Sequence, residues 1–324
     1  MIIIAKGFET MVHAKYAIVI VTYNRKKMLL ECVSNATNQT VSPDSIIIVN
    51  NASTDGTEVY LKSLQKQSGL YQIVDLPQNI GGAGGFAKGI EYALQKNIEC
   101  ILLIDDDAMI ALDYMEKILQ LRHQYPQYKA FAGTVITDGN IETSHRRNIT
   151  KIGLLSKNCK KQNYVRPWFL CDIVSFCGMV VDSSLVRQIG LPHAEYFIWY
   201  DDTEYSLRVR QYSRFFVATS AELIHKTNQA LKKYPRRYDW KEYYAVRNRL
   251  LMVKEHGNLI DRMVNFIHIF IHVIFRNWLF GLIRRDNYDW KYECELVKKA
   301  LRDAKTLKTG RGNYCLLYTS PSPR

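Results

Sequence analysis

Three consecutive aspartates, Asp105, Asp106 and Asp107, follow the apolar run Ile101-Leu-Leu-Ile. Such a run is typical of a buried strand, and open α/β sheets bind their ligands at the carboxyl ends of the strands. Adjacent carboxylates repel one another, and a divalent cation with oxygen ligands relieves that repulsion. The motif therefore predicts a metal site in which Asp105 and Asp107 point the same way. An acidic helix cap, the alternative, explains only one of the three carboxylates.

A second acidic motif is Trp199-Tyr-Asp201-Asp202-Thr-Glu204. Two adjacent acids beside aromatic residues can supply a general base in a partly desolvated pocket, where one pKa rises. An ordinary helix start with acidic residues in its first turn explains the same pattern. The two interpretations are compatible, because a capped helix holds the base in place. His225 is a lone histidine, and only the upstream aspartates favour a metal-binding role for it over a structural one.

Glycines cluster from Gly81 to Gly85, ahead of a helical pattern. Glycines that lead into a helix let backbone N–H groups approach a phosphate at the helix N-terminus. The segment Gly82-x-Gly84-x-x-Ala87 also matches a dinucleotide fingerprint, which leaves a nicotinamide-dependent oxidoreductase as an alternative function. That match follows the third strand pattern rather than the first, and an oxidoreductase has no use for the three aspartates.

The elements that must position these residues alternate between strands and helices. Apolar runs predict strands at 16–21, 45–49, 71–76 and 99–104, with helices at 26–36, 54–67 and 85–96 between them. This order predicts an α/β fold with a doubly wound, mainly parallel sheet. Further along, the patterns predict strands at 132–136, 173–181, 215–219 and 222–225 and helices at 184–189, 240–255 and 259–283.

Composition limits the possible classes of protein. The 324 residues are 47% hydrophobic and 12% aromatic, which excludes a mainly disordered chain. Seven cysteines form no CxxC pair, which argues against a disulfide scaffold or structural zinc. We predict an N-terminal extension (1–15), a catalytic domain (16–228), a helical C-terminal region (229–312) and a tail (313–324).

The basic charge is concentrated in the last third of the chain. From Lys226 to Arg324 there are 21 Lys/Arg residues against 9 Asp/Glu residues, which indicates either a polyanionic partner or a solvated basic surface. The segment from Met263 to Phe280 is apolar but interrupted by polar residues, so it predicts a helix in a membrane interface rather than a spanning one. A buried helix is the alternative. A non-catalytic membrane-binding module would explain this region alone.

Six motifs occur in the order found in glycosyltransferase family 2, which has the GT-A fold: Val21–Arg25, Val49–Gly56, Asn79–Phe86, Asp105–Asp107, Trp199–Glu204 and Tyr243–Asn248. The chain resembles this family over roughly residues 16 to 312. The glycine cluster and the three aspartates are most similar to its galactofuranosyltransferase and rhamnosyltransferase branch. Asn50 departs from the pattern, because many relatives carry an acid there, and this leaves uridine versus thymidine open.

The resemblance implies a role for each matching residue. Donor-binding residues would be Thr22, Asn24, Arg25, Asn50, Gly81, Gly82, Gly84, Gly85 and Asp106. Asp105, Asp107 and His225 would hold Mn²⁺ or Mg²⁺. Asp202 would be the catalytic base, assisted by Asp201. Trp168, Trp199 and Glu204 would contact the acceptor.

The expected function is a metal-dependent inverting glycosyltransferase with a UDP- or dTDP-linked sugar donor. Galactofuranose is the favoured sugar, and dTDP-rhamnose is the alternative donor. The acceptor is expected to be a glycan or lipid-linked glycan in cell-surface polysaccharide synthesis. The enzyme would be cytoplasmic and peripheral on the inner face of the cell membrane, bound to an anionic surface and not to nucleic acid.

Overall fold

The computed structural model describes residues 14–226, 240–275 and 290–310. The strands are β1 (Tyr16–Thr22), β2 (Ser45–Asn50), β3 (Tyr71–Asp75), β4 (Cys100–Asp105), β5 (Ala108–Ile110), β6 (Ala130–Thr137), β7 (Asn140–Ile141), β8 (Arg146–Ile149), β9 (Ser156–Asn158), β10 (Trp168–Cys171), β11 (Ile173–Val174), β12 (Met179–Asp182) and β13 (Phe215–His225). The helices are α1 (Lys26–Thr37), α2 (Thr57–Gln67), α3 (Gly81–Leu94), α4 (Tyr114–Gln124), α5 (Ser183–Ile189), α6 (Asp201–Arg210), α7 (Lys241–His256), α8 (Leu259–Ile269) and α9 (Trp290–Lys305).

The main sheet has the strand order β10-β13-β6-β12-β4-β1-β2-β3. Strands β4, β1, β2 and β3 are parallel, whereas β12 runs antiparallel between β4 and β6. The central strands β1, β2 and β4 are apolar along almost their whole length because helices cover both faces of the sheet. The predicted doubly wound, mainly parallel α/β sheet is confirmed.

Alternate residues of β1 face the two helical layers. Ile18 and Ile20 pack in the core that includes residues of α1, α2 and α4, whereas Val19 and Val21 pack in the core that includes α3, α5 and α6. Helix α3 lies so close to β1 that a Cβ atom on Gly89 would lie 2.3 Å from Val19 Cγ1. Gly89 and Gly85, where a Cβ atom would lie 2.5 Å from Val21 Cγ1, therefore allow the close packing of this helix on β1.

Four predicted elements differ clearly from the structure. Helix α3 begins at Gly81, not at residue 85, so the glycine cluster forms the first turn of the helix rather than a loop. The strand predicted at 173–181 is divided into β11 and β12 by a turn in which Gly178 has a φ of +87°. The strands predicted at 215–219 and 222–225 form one strand, β13, whose register against β6 shifts between Val217 and Glu222.

The C-terminal helices pack beside the sheet domain. Helix α9 packs along α7, and a π-helical segment, Phe270–Phe275, continues α8. The rest of the helix predicted at 259–283, the boundary predicted at 228/229, the tail (313–324) and most of the N-terminal extension lie outside the described residues. Within the described part of the chain, the helices are too short or too polar to cross a membrane.

We predict that Gly89→Ala lowers the free energy of unfolding by about 1–3 kcal/mol, because the new methyl group would overpack the contact with Val19. Gly82→Ala on the same helix is the matched control. A Cβ atom there meets nothing within 4 Å, so stability should be unchanged or rise by up to about 1 kcal/mol. Urea unfolding of both variants measures the difference, and equal stabilities would contradict the proposed packing.

Candidate active site

The first acidic motif, Asp105–Asp107, follows β4 and meets Thr22 and Arg25 at the carboxyl end of β1. Thr22 Oγ1 donates a hydrogen bond to Asp106 Oδ2 at 2.7 Å. Arg25 Nη1 lies 3.2 Å from Asp106 Oδ1 and 2.5 Å from Asp107 Oδ2. Parallel pairing of the two strands causes this, since Val21 is in register with Asp105. Four of the predicted site residues, Thr22, Arg25, Asp106 and Asp107, are thus in direct contact.

His225 reaches the same motif from the end of β13. The antiparallel pairing of β13 with β5 sets His225 opposite Ala108, next to Asp107. His225 Nε2 lies 3.4 Å from Asp107 Oδ1. Asp107 Oδ1 and His225 Nδ1 are buried and have no hydrogen-bond partner among the described residues. A carboxylate oxygen without a donor beside an imidazole suits Mn²⁺ or Mg²⁺, so Asp107 and His225 fit the predicted metal.

Burial and mutual repulsion set the protonation of the three aspartates. Burial, together with the charges of Asp107 and Asp106, raises the pKa of Asp105 to about 7. Burial also raises the pKa of Asp106 to about 6, against the opposing effect of Arg25. For Asp107 the effect of burial is outweighed by His225 and Arg25, which lower its pKa. The motif therefore carries more negative charge than its protein partners neutralise, and a cation would replace the protons.

The second acidic motif opens helix α6. Asp201 is buried, and burial together with the charges of Asp202 and Asp105 raises its pKa to about 8. Because the charge of Asp105 contributes to this rise, the two acidic motifs lie close enough to interact. Asp202 is only half-buried, accepts a hydrogen bond from Thr203 Oγ1 at 2.9 Å and lies 3.8 Å from Arg147 Nη2. Of the two acids, Asp202 is the one that a substrate hydroxyl can reach.

A strained turn sets the start of α6. Phe197, Trp199 and Tyr200 have φ angles of 67°, 64° and 66°, in the left-handed region that side chains with a Cβ atom avoid. Gly81 lies so close to this turn that a Cβ atom on it would lie 2.0 Å from the Phe197 carbonyl oxygen. Ala83 N donates to the same oxygen at 3.2 Å. The first turn of α3 therefore supports the turn that presents Asp201 and Asp202.

Asn248 of α7 holds the other side of this turn. Its Nδ2 donates to the carbonyl oxygens of Tyr196, Ile198 and Trp199 at 2.9, 3.0 and 2.8 Å. The neighbouring Arg247 is fully buried and donates to the carbonyl oxygens of Glu195, Tyr196 and Gly310. Both residues belong to the motif Tyr243–Asn248, for which the sequence predicted no individual roles.

The ends of β2 and β3 form a polar corner at the edge of the site. Asn50 Nδ2 donates to Asp75 Oδ1 at 2.8 Å, and Asn50 Oδ1 accepts from Ser53 N at 3.1 Å. Asn24 Oδ1 accepts from Thr54 N at 2.6 Å, which ties the loop after β1 to the loop after β2. Asp75 is exposed and places a carboxylate beside Asn50, the position at which the sequence lacks an acid.

Two of the predicted acceptor residues lie elsewhere. Glu204 is fully buried and accepts from Arg208 Nε and Nη2 at 2.8 Å each and from His256 Nε2 at 2.9 Å, so it orders α6 and is closed to a sugar. Trp168 lies on the edge strand β10 and packs on Phe216, with 4.7 Å between the ring centroids. Phe216 belongs to the core layer that includes residues of α4. Helix α6 belongs to the opposite layer. Trp199 is 40% exposed beside Asp201 and remains a candidate.

His145 and Arg147 were not predicted, and both face the site. The His145 ring centroid lies 5.0 Å from that of His225, and burial together with Arg146 lowers the pKa of His145 to about 3. Arg147 Nη2 donates to Thr203 Oγ1 at 2.8 Å, next to Asp202. Both residues lie where hydrophobic periodicity is weak, so no sequence signal marked them.

Comparison with protein families agrees with this geometry. The family described as "Glycosyl transferase family 2" matches residues 17–189. The chain is 26% identical to dTDP-rhamnosyl transferase RfbF of Shigella flexneri over 265 residues, which are 78% of this chain and 85% of that protein. It is also 26% identical to galactofuranosyltransferase GlfT1 of Mycolicibacterium smegmatis over 212 residues, 64% of this chain and 69% of the relative.

Solved structures show the same fold at low sequence identity. S. aureus TarS 1–349 in complex with UDP-GlcNAc superposes with a TM-score of 0.54 at 14% identity, covering 90% of this chain and 80% of TarS 1–349. GalNAc-T7 with UDP, GalNAc and Mn²⁺ gives a TM-score of 0.58 at 14% identity, covering 74% of this chain and 48% of the GalNAc-T7 chain. The predicted GT-A fold is confirmed.

The raised pKa of Asp201 predicts how stability depends on pH when a chelator keeps metals away. An aspartate with a folded-state pKa of about 8 binds a proton in the folded state that the unfolded chain releases near pH 4, so the free energy of unfolding falls as the pH rises between these values. In Asp201→Asn this loss should shrink by at least about 1 kcal/mol between roughly pH 5 and pH 8. Urea unfolding of both proteins tests this, and parallel pH profiles would contradict it.

Proposed function

This chain belongs to glycosyltransferase family 2, and from that membership we propose that it is a metal-dependent inverting enzyme. It transfers a hexose from a pyrimidine nucleotide-diphosphate donor to a glycan or lipid-linked glycan acceptor in cell-surface polysaccharide synthesis. One observation carries the proposal: the buried Asp201 at the start of α6 lies close enough to the motif Asp105–Asp107 that the charge of Asp105 helps to raise its pKa. An in-line displacement needs this arrangement of a donor site opposite a base.

Asp202 is the proposed base. Its half-exposed carboxylate accepts the proton of an acceptor hydroxyl, and the oxygen of that hydroxyl attacks the anomeric carbon as the bond to the diphosphate oxygen breaks. The configuration at the anomeric carbon inverts because there is a single displacement. Arg147, 3.8 Å from Asp202 Oδ2, holds the carboxylate together with Thr203. Asp201, which is buried and stays protonated near neutral pH, does not compete with Asp202 as the base.

Asp105, Asp107 and His225 would hold the cation, Mn²⁺ or Mg²⁺. When bound, the cation supplies positive charge to the departing nucleotide diphosphate. The buried, unpaired Asp107 Oδ1 among the described residues supports this assignment, as does the Mn²⁺ named with the GalNAc-T7 structure. Thr22 and Arg25 keep Asp106 and Asp107 in place through their hydrogen bonds.

The donor is proposed to be UDP-galactofuranose, with dTDP-rhamnose as the second candidate. GlfT1 supports the first sugar by its name, and RfbF supports the second. Asn50 Nδ2 and the Asp75 carboxylate lie side by side as a hydrogen-bond donor and an acceptor. This pair complements a carbonyl oxygen and the N3–H group of uracil or thymine, so it favours these bases over cytosine.

The enzyme is proposed to be cytoplasmic and peripheral on the inner face of the cell membrane. Helix α8 and the π-helical segment expose a row of large apolar side chains: Leu259, Ile260, Met263, Phe266, Ile267, Phe270, Ile271 and Phe275. The excess of Lys and Arg after residue 225 complements the anionic surface of a membrane. An amphipathic helix with basic surroundings docks on such a surface through both effects.

The donor assignment is tested by measuring the nucleoside diphosphate released from a panel of UDP- and dTDP-sugars, with and without Mn²⁺. We expect the highest rate with UDP-galactofuranose and loss of activity in excess chelator. Asp202→Asn should lower turnover by about 10²–10⁴ and leave donor affinity unchanged in calorimetry, because only the proton acceptor is removed.

Three results would contradict parts of this proposal. Full activity in excess chelator would exclude the metal. Loss of donor binding in Asp202→Asn would move the base elsewhere. Nicotinamide cofactor binding without release of any nucleoside diphosphate would favour the oxidoreductase alternative.

Membrane docking predicts that the protein sediments with vesicles rich in acidic phospholipid at low salt and is released by high salt. Phe266→Asp should weaken binding at least tenfold, because an apolar side chain contributes about 1.5–3 kcal/mol when it leaves water. Val59→Asp, at an apolar position on α2 that is 72% exposed against 54% for Phe266, is the control and should bind as the wild type does. Equal binding of both variants, or none by the wild type, would exclude docking through α8.

A further inference from the structure

Four side chains with metal-binding atoms meet on the far side of α6 and include none of the aspartates described above. They are His193, Glu204 of α6, and Glu255 and His256 at the end of α7. His193 Nε2 lies 3.2 Å from Glu255 Oε2 and 3.6 Å from Glu204 Oε1. His256 Nε2 lies 2.9 Å from Glu204 Oε1 and 3.9 Å from Glu255 Oε1.

These distances suit a zinc site with three protein ligands. Zinc binds imidazole nitrogen and carboxylate oxygen at about 2.0–2.2 Å in a tetrahedral arrangement, which places neighbouring ligand atoms about 3.3–3.6 Å apart. His193 Nε2 lies at about this separation from Glu255 Oε2 and Glu204 Oε1. His256 Nε2 instead hydrogen-bonds Glu204 Oε1 at 2.9 Å. Ligand atoms of His193, Glu204 and Glu255 all lie within 4.8 Å of one another.

The second ring nitrogen of His193 points to the same conclusion. Its Nδ1 lies 3.3 Å from Glu195 Oε1, a carboxylate oxygen that can accept a hydrogen bond. Its Nε2 faces the carboxylate oxygens of Glu204 and Glu255, which is the side on which a cation would lie. A histidine that donates one N–H group to a carboxylate and binds a metal through the other nitrogen is the usual arrangement at metal sites.

Charge and access also fit a divalent ion. Glu195, Glu204 and Glu255 carry three negative charges, and Arg208, which pairs with Glu204, supplies one positive charge. The side chain of Glu204 is fully buried and fixed by Arg208, whereas those of Glu255 and His193 are 45% and 29% exposed. One ligand is thus preorganised, and two can admit an ion from solvent.

We propose that His193, Glu204 and Glu255 bind one Zn²⁺ ion, with His256 hydrogen-bonded to Glu204. An imidazole and two carboxylates form a ligand set that zinc binds, with its fourth position open to water. The cysteine pattern argues only against zinc held by thiolates, which these residues do not need. The ion would link the segment before α6 to α6 and α7, and so fix the helix that presents Asp201 and Asp202. This inference does not depend on the donor or acceptor proposed above.

The test uses the full chain, stripped with chelator and titrated with Co²⁺ and then Zn²⁺. In Asp107→Ala, which removes the donor-site metal, we expect one equivalent of Co²⁺ with the visible absorption of a four-coordinate ion, displaced by Zn²⁺. Thermal unfolding of this variant should shift upward with Zn²⁺. His193→Ala and Glu255→Gln, both at partly exposed positions, should each weaken binding at least tenfold and remove the shift.

His123→Ala, an exposed histidine outside the cluster, is the matched control and should bind as the wild type does. Absence of the Co²⁺ absorption in Asp107→Ala would overturn the proposal, since the cluster would then be held together by its hydrogen bonds alone. Unchanged affinity in both His193→Ala and Glu255→Gln would also overturn it.

Discussion

Five aspartates repel one another because the end of β4 and the start of α6 bring them close together. Much of the surrounding structure compensates this repulsion. Arg25, Thr22 and His225 compensate the first motif, and Arg147 lies beside the second. These partners do not neutralise all of the charge, because the pKa values of Asp105 and Asp201 remain raised to about 7 and about 8. The remaining charge is what a divalent cation would balance.

Keeping the two motifs at this separation requires the strained turn before α6. Three residues with positive φ in such a short segment cost about 1–2 kcal/mol each, so the turn persists only if its surroundings hold it. Gly81 supports it from α3, and Asn248 and Arg247 support it from α7. The C-terminal helices are therefore part of the active-site framework, in addition to the membrane-docking surface proposed for α8.

Helix α6 lies between two different sets of ligating side chains. At its N-terminus, carboxylates predominate, and such a set suits a hard cation that exchanges with the substrate. On its other side, Glu204 meets His193 and Glu255, and this set suits a zinc ion that stays bound. The family motif that contains Asp202 and Glu204 thus supplies one residue to the proposed chemistry and one to the support of the helix that carries it.

The sequence by itself determined the alternation of strands and helices and the sheet type, and it placed three aspartates at the carboxyl end of a central strand. It could do so because apolar runs report burial, and the ends of parallel strands lie at one edge. Only the tertiary structure decided that Glu204 is buried, that Trp168 lies in another layer, and that Arg147, Asn248 and Asp75 reach the site. Arg147 contacts Thr203 across 56 residues of chain. Such contacts depend on how distant segments pack, and local patterns of hydrophobicity and charge carry no record of that packing.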